Sequence, residues 1–290
     1  MHPHLFELPW GGTANAYGTL ILLGGLSSVP FIRWDARSRG LAPGRRLSFL
    51  VDFYLVLVVG MFLGGRIVHV LTVPGVYAND PMKLVALDST GFVFFGSLIA
   101  VALGWIWLAR RYAVEVGVLW DLGLTWVGLG HAFGRLGCFA AGCCWGGPHT
   151  SGGGVRFGPD ALVVLTGGAP VYGRADALQT LPLHPTQLYE AAGLLALFVV
   201  QWTLRIRNGV ETPWRMASRY AIGYGCLRAV VEIFRGDASR GWLFETTAPG
   251  VAQALSLPPD HPLLLSISQA IALSMVGVGA FGLWRTRPRT

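Results

Sequence analysis

The sequence predicts an all-α integral membrane protein of about seven transmembrane helices, with the N-terminus outside, the C-terminus cytoplasmic and a small outward-facing cap. Three observations predict it. The 290 residues are 53% apolar and only 13% charged, with 11 Trp and a mean hydropathy of +0.52, far from the balance of a soluble domain. Apolar runs long enough for a bilayer core of about 30 Å recur along the chain. Arginines gather in alternate connections between those runs, which is how a membrane protein encodes its orientation.

The spans are expected near 14–32, 47–71, 92–109, 116–133, 187–204, 218–235 and 263–284. The first should stay in place, because no basic n-region precedes it and no small-residue cleavage site follows it. Arg33, Arg37, Arg39, Arg45 and Arg46 follow the first span, Arg110 and Arg111 the third, Arg205, Arg207, Arg215 and Arg219 the fifth, and Arg285, Arg287 and Arg289 the seventh. These make 14 of the 22 Lys and Arg, so their side is cytoplasmic. The net charge of +7 therefore signals orientation, and nucleic acid is not an expected partner. Residues 147–183 and 236–261 are the two long outward loops, expected to form the cap or lids of one domain over 1–290 rather than a second domain. The sequence shows no internal repeat and no low-complexity tail.

This topology sets the depth of each polar residue. Tyr17, Arg66, His69, His131, Glu190, Arg228, Glu232, Arg235 and Gln269 all fall near the outer level. Charges in a membrane cost about 2.5–3.5 kcal/mol each and face a partner or a wet cavity, so the sequence predicts a polar chamber open outward. Asp52 and Asp121 lie near the opposite ends and read as caps or partners of arginines.

Four stretches line the chamber. In His131-Ala-Phe-Gly-Arg-Leu-Gly-Cys-Phe-Ala-Ala-Gly-Cys-Cys-Trp-Gly146, Gly134, Gly137, Gly142 and Gly146 are expected to shape a tight turn around a ligand, with Arg135 as its fixed charge. Arg228 and Glu232 stand four apart on one helix face, and Arg235 adds positive charge suited to a phosphate; a self-neutralising pair is the alternative. Arg66 is a snorkelling or packing residue beside Gly64 and Gly65, which let another helix come close. In Leu183-His-Pro-Thr-Gln-Leu-Tyr-Glu190, Pro185 starts a helix that Thr186, Gln187 and Glu190 are able to cap, leaving His184 and Glu190 equally open to structural and catalytic roles. Cys138, Cys143 and Cys144 admit a disulfide from Cys138 to either neighbour, small packing residues, or a reactive thiol. Zinc through His131, Cys138, Cys143 and Cys144 is a further alternative, but the C-x4-C-C spacing matches no standard site, and no metal or cofactor is expected.

The run Gly134-Arg-Leu-Gly-Cys-Phe-Ala-Ala-Gly-Cys-Cys-Trp-Gly146 resembles the signature of the prolipoprotein diacylglyceryl transferase family in a Cys-rich form. Tyr17-Gly18, Gly64-Gly-Arg-Ile67, His184-Pro-Thr-Gln-Leu-Tyr-Glu190, Tyr224-Gly-Cys-Leu-Arg-Ala-Val-Val-Glu-Ile-Phe-Arg-Gly-Asp237 and Ser268-Gln269 agree with it in order. The resemblance spans the whole chain and its seven-helix topology. It implies a bacterial inner-membrane enzyme, acting toward the outer leaflet, that moves an sn-1,2-diacylglyceryl group from phosphatidylglycerol to the lipobox cysteine of preprolipoproteins and releases glycerol phosphate. Arg135 and Arg228 would then hold the lipid phosphate and the leaving group. Glu232 and Arg235 would orient them, and Tyr17 would line the lipid pocket. Arg66, Gly134, Gly137, Cys138, Gly142, Cys143, Gly146, His184, Gln187 and Glu190 would complete the substrate-binding set. The chain departs from the family where Gly91-Phe-Val-Phe-Phe-Gly-Ser-Leu98 puts Phe95 at the third-helix histidine, and where Cys138 and Cys143 stand for Asn and Glu. A paralogue that binds or flips anionic phospholipid, or that uses another acceptor, is the alternative those departures leave.

Overall fold

The computed structural model describes residues 4–7, 13–84, 93–173, 178–236 and 241–287. Gly91, Phe92, Asp237 and Arg289, named above, lie outside the described residues. The chain divides into two compact units, residues 1–32 with 123–290, and residues 33–122.

In chain order the elements are strands β1 (His4–Glu7) and β2 (Thr13–Asn15), helices α1 (Ala16–Ser38), α2 (Arg46–Thr72) and α3 (Pro74–Asn79), a 3-10 turn at Pro81–Leu84, and helices α4 (Phe94–Tyr112), α5 (Val116–Ala141) and α6 (Leu162–Leu165). Strands β3 (Val171–Tyr172) and β4 (Gln179–Thr180) follow, then α7 (Thr186–Asn208), α8 (Arg215–Ile233), β5 (Trp242–Thr246), α9 (Pro249–Ala254), β6 (Leu264–Ser266) and α10 (Ile267–Arg285). All seven expected spans coincide with the long helices α1, α2, α4, α5, α7, α8 and α10. The fold is not purely helical, because three two-stranded antiparallel sheets join β1 to β2, β3 to β4 and β5 to β6.

Among the described residues, α1, α2, α5, α7 and α10 are long and apolar enough to cross a membrane. Helix α8 carries Arg215, Arg219, Arg228 and Glu232, which lower its apolarity below theirs. The helices also run past the apolar stretches. Arg205 and Arg207 sit in the last turn of α7, and Arg215 and Arg219 within α8, because arginine is a good helix former whose long stem reaches polar surroundings. Leu22, Leu47, Leu71 and Val278 are all exposed, an apolar surface that suits lipid.

In the unit of residues 33–122, α2 packs along α4 on a glycine seam. A Cβ on Gly64 would collide with the Gly96 carbonyl, and one on Gly96 with that of Gly64, so the two backbones touch as sequence spacing suggested. Ser97 Oγ bridges the seam to the Met61 carbonyl at 2.6 Å, and Phe53 stacks on Trp105 at 5.5 Å. Asp52 accepts hydrogen bonds from Arg111 Nε and Tyr112 Oη, both at 2.8 Å, the arginine partnership expected of it.

In the other unit, α8 lies against α10, where Gly225 and Gly279 leave no room for a Cβ against the Ala272 and Ser218 carbonyls. Phe31 joins α1 to α5 and α7 through Trp126 and Phe198, each at 5.3 Å. The long connections fold around small apolar cores: Phe157, Ala161, Val163 and Leu183 in one, Ala252, Leu257 and Leu263 in the other.

Candidate active site

Helix α5 does not stop near Phe133 as expected; it continues to Ala141. The extension contains no proline and includes the good helix formers Arg135, Leu136, Ala140 and Ala141, and packing offsets the cost of Gly134 and Gly137, about 1 kcal/mol each. These two glycines therefore lie inside a helix and make no turn. Gly137 lets Tyr17 of α1 approach, since a Cβ would meet the Tyr17 ring at 3.1 Å. Gly134 has no comparable neighbour, with Ile21 at 4.0 Å. The longer helix puts His131, Arg135 and Cys138 on one face at spacings of four and three.

Opposite that face stands Glu190 of α7, the centre of the site. Its Oε2 lies 3.1 Å from Arg135 Nε and 3.4 Å from Arg228 Nη1. Its Oε1 accepts a hydrogen bond from Tyr224 Oη at 3.3 Å and lies 3.9 Å from His131 Nε2. Arg228 also donates to Glu232 one turn on, at 2.7 Å, and the other Glu232 oxygen accepts from Ser266 Oγ at 3.1 Å. Ser266 in turn caps α10 through a reciprocal pair with Gln269. The Glu190 side chain is 2% exposed, whereas Arg135 and Arg228 keep 17% and 16%. The carboxylate is sealed beneath two guanidiniums that still reach outward. Arg135 Nε, though close to Glu190, lacks the angle of a hydrogen bond, so the pair is electrostatic and incompletely saturated.

The turn after α5 is clamped from α7. Gly142 takes φ +69° and Cys144 takes φ +58°; the second is a left-handed conformation costing a non-glycine residue roughly 1–2 kcal/mol. Gln187 Nε2 donates to the Cys143 carbonyl at 2.7 Å and Thr186 Oγ1 to the Cys144 carbonyl at 2.9 Å. These side chains therefore tie down the turn instead of capping α7, whose N-cap Pro185 receives no side-chain hydrogen bond. Gly146 N donates to the His184 carbonyl at 3.0 Å and Gly147 N to that of Phe234 at 2.8 Å. Any Cβ on Gly146 would strike both carbonyls. Arg235 follows α8 and bridges to Gly146, which brings the third arginine to the turn.

Cys138, Cys143 and Cys144 converge, their sulfurs within 4.8 Å of one another, and all are free thiols. Hydrogen bonds from Cys138 and Cys143, with the charges of Arg235 and Arg135, push the Cys144 thiol down. Cys143 moves up because it shares those bonds as the protonated member.

Of the other expected site residues, one stands apart and one belongs to the second unit. His184 stacks on His149 at 4.3 Å, with Nδ1 3.1 Å from Tyr189 Oη and Nε2 3.2 Å from the Ser256 carbonyl. It lines a separate cleft of about 460 Å³ with Leu227, Phe234 and Leu255, and burial pushes its pKa down. Arg66 belongs to the unit of residues 33–122, where it is buried and donates to Tyr77 Oη at 3.3 Å, a hydroxyl also 2.7 Å from His69 Nδ1. Phe95 is exposed in that same unit. Sequence reasoning passed over Tyr224 and Ser266; the signal for Tyr224 was its place one turn before Arg228 on the same face.

Chemically, three arginines and two carboxylates leave an excess of positive charge beside a backbone-rich turn, an arrangement suited to a phosphate. Comparison with known proteins points the same way. A family model described as prolipoprotein diacylglyceryl transferase matches residues 3–285. A Clostridium tetani protein named phosphatidylglycerol–prolipoprotein diacylglyceryl transferase is 30% identical over 283 residues, covering 97% of this chain and 96% of that protein. Proteins of the same name from Sinorhizobium medicae and Xanthomonas oryzae pv. oryzae are each 34% identical, over 81% and 76% of this chain and 78% and 75% of their own lengths. The chain belongs to the prolipoprotein diacylglyceryl transferase family.

Proposed function

We propose that the chain transfers an sn-1,2-diacylglyceryl group from phosphatidylglycerol to the lipobox cysteine of preprolipoproteins, the first step of lipoprotein maturation. It is a multi-pass membrane protein of the bacterial inner membrane by family. Seven spans, the N-terminus outside, the C-terminus cytoplasmic and the site toward the outer leaflet are the arrangement that the arginine distribution favours. In this reading the whole chain works as one transferase domain, with 147–183 and 236–261 as its cap.

The observation that carries the reading is the sharing of one sealed carboxylate, Glu190, by two partly exposed arginines, at 3.1 and 3.4 Å. Arg135 and Arg228 grip the lipid phosphate and stabilise the charge that grows on it as the glyceryl C–O bond breaks. Glu190 and Glu232 hold the two guanidiniums in place, and Arg235 adds positive charge beside the turn. The acceptor thiolate attacks the glyceryl carbon, the thioether forms, and glycerol phosphate departs. Tyr17, packed on Gly137, lines the acyl side. Expression in a strain depleted of its own diacylglyceryl transferase tests this: growth and lipoprotein processing should return. A chain that is made and inserted, yet restores neither and binds phosphatidylglycerol without cleaving it, would be a lipid binder instead.

A further inference from the structure

We propose that Cys138, Cys143 and Cys144 form a three-thiolate site for a thiophilic d10 ion, zinc or copper(I), whose open position takes up the acceptor thiol. The inference rests on the transferase reading above. A disulfide uses two thiols, and the neighbours Cys143 and Cys144 do not bridge each other without strain; three sulfurs mutually within 4.8 Å instead define a single centre. Zinc–thiolate bonds of about 2.3 Å put tetrahedral sulfurs roughly 3.8 Å apart, a closure within reach of small side-chain rotations. The turn is built in advance for this. The left-handed Cys144, at φ +58°, is strain retained where function requires it, and Gln187 and Thr186 lock the peptides of both cysteines.

Three thiolates on a divalent ion carry one net negative charge, and Arg135 and Arg235 both act on the cluster electrostatically. Three protein ligands with a vacant fourth position is the catalytic form of a zinc site. One of its ligands, Cys138, sits about one helical turn from Arg135, the residue assigned to the lipid phosphate. A thiol that coordinates loses its proton, here to solvent. Its sulfur then attacks the glyceryl carbon, the carbon–oxygen bond breaks toward phosphate, and the neutral thioether, a weaker ligand, is released. The site thus supplies thiol ionisation in a chain with Phe95 at the family's histidine position.

The test uses the full chain in lipid nanodiscs. After loading with zinc or copper(I) and desalting, wild type and Cys226→Ser should retain about one ion per chain. Cys138→Ser and Cys144→Ser should lose at least nine-tenths of it, and the retained metal distinguishes the two ions. Cobalt(II) should produce a thiolate charge-transfer band that shifts on adding a lipobox peptide but not its Cys-to-Ser counterpart. Chelation should lower transfer at least a hundredfold, reversed by the metal. The wild-type readouts stand however the variants fold. Transfer by a protein that holds no metal, or one with a disulfide in the trio, overturns the site and leaves the transferase reading intact. A cobalt band indifferent to the peptide overturns thiol uptake. Metal and peptide bound with no transfer from phosphatidylglycerol overturns the transferase reading.

Discussion

Two glutamates in this protein each face two arginines, and they differ in nearly everything else. Glu211, in the connection between α7 and α8, pairs with Arg215 four residues on and with both terminal nitrogens of Arg219. It is a closed knot, and Arg215 also donates to the Thr286 carbonyl at 2.8 Å. Glu190 is almost sealed, and its arginines come from two other helices at looser distances. The first arrangement holds Arg219 through two hydrogen bonds at a more exposed carboxylate and fixes a helix connection, although Arg215 Nε, like Arg135 Nε, has no hydrogen bond. The second leaves two guanidiniums underused beside a backbone-rich turn. Incomplete pairing at depth, more than the mere presence of ion pairs, is what marks a site here.

Breaking the comparison at its strongest point means removing an arginine. Arg135→Ala or Arg228→Ala should cut transfer by about 10²–10³-fold, the usual cost of losing a donor to developing charge, read as glycerol phosphate release. Arg219→Ala should leave the rate within a few-fold. The stabilities should divide the same way. Glu190→Ala removes the carboxylate shared by two mostly covered guanidiniums, leaves Arg135 without its partner and should cost about 3–5 kcal/mol. Glu211→Ala should cost about 1 kcal/mol or less, and thermal unfolding in detergent compares the two. In the other unit, Gly96→Val would force α4 off α2 at Gly64 and should cost about 1–3 kcal/mol, read in the same melts. The smallest effect is with pH. Burial alone would raise the Glu211 carboxyl, but the Arg219 hydrogen bond and the Arg219 and Arg215 charges outweigh it and hold it low. Its contribution is therefore full above the unfolded carboxylate value of about 4.3 and is lost as pH falls through the lower folded value. Acid titration of unfolding should show a shallow decline there that Glu211→Ala removes.

Much of this was legible in the sequence, for identifiable reasons. The apolar runs and their arginine flanks marked all seven long helices, five of which, among the described residues, are long and apolar enough to cross a membrane. Their ends were not legible: arginines continue α7 and α8, and α5 runs on to Ala141 through residues that read as a turn. The i, i+4 pair of Arg228 and Glu232 was visible on one helix. The role of Glu190 was not, because its partners lie 55 and 38 positions away in sequence, on other helices. Thr186 and Gln187 looked like caps since local propensity favours that use, and tertiary demand for their donors at Cys144 and Cys143 overrode it. The cysteine spacing hid a cluster that only the folded turn brings together.

The most direct test of the central claim is one reaction with two readouts. The purified chain is incubated with phosphatidylglycerol and a lipobox peptide, and glycerol phosphate and peptide mass are followed together. The account predicts one glycerol phosphate for each diacylglyceryl thioether formed, both lost together in Arg135→Ala and Arg228→Ala. Product formed at the wild-type rate by either variant, or glycerol phosphate released without any thioether, would contradict it.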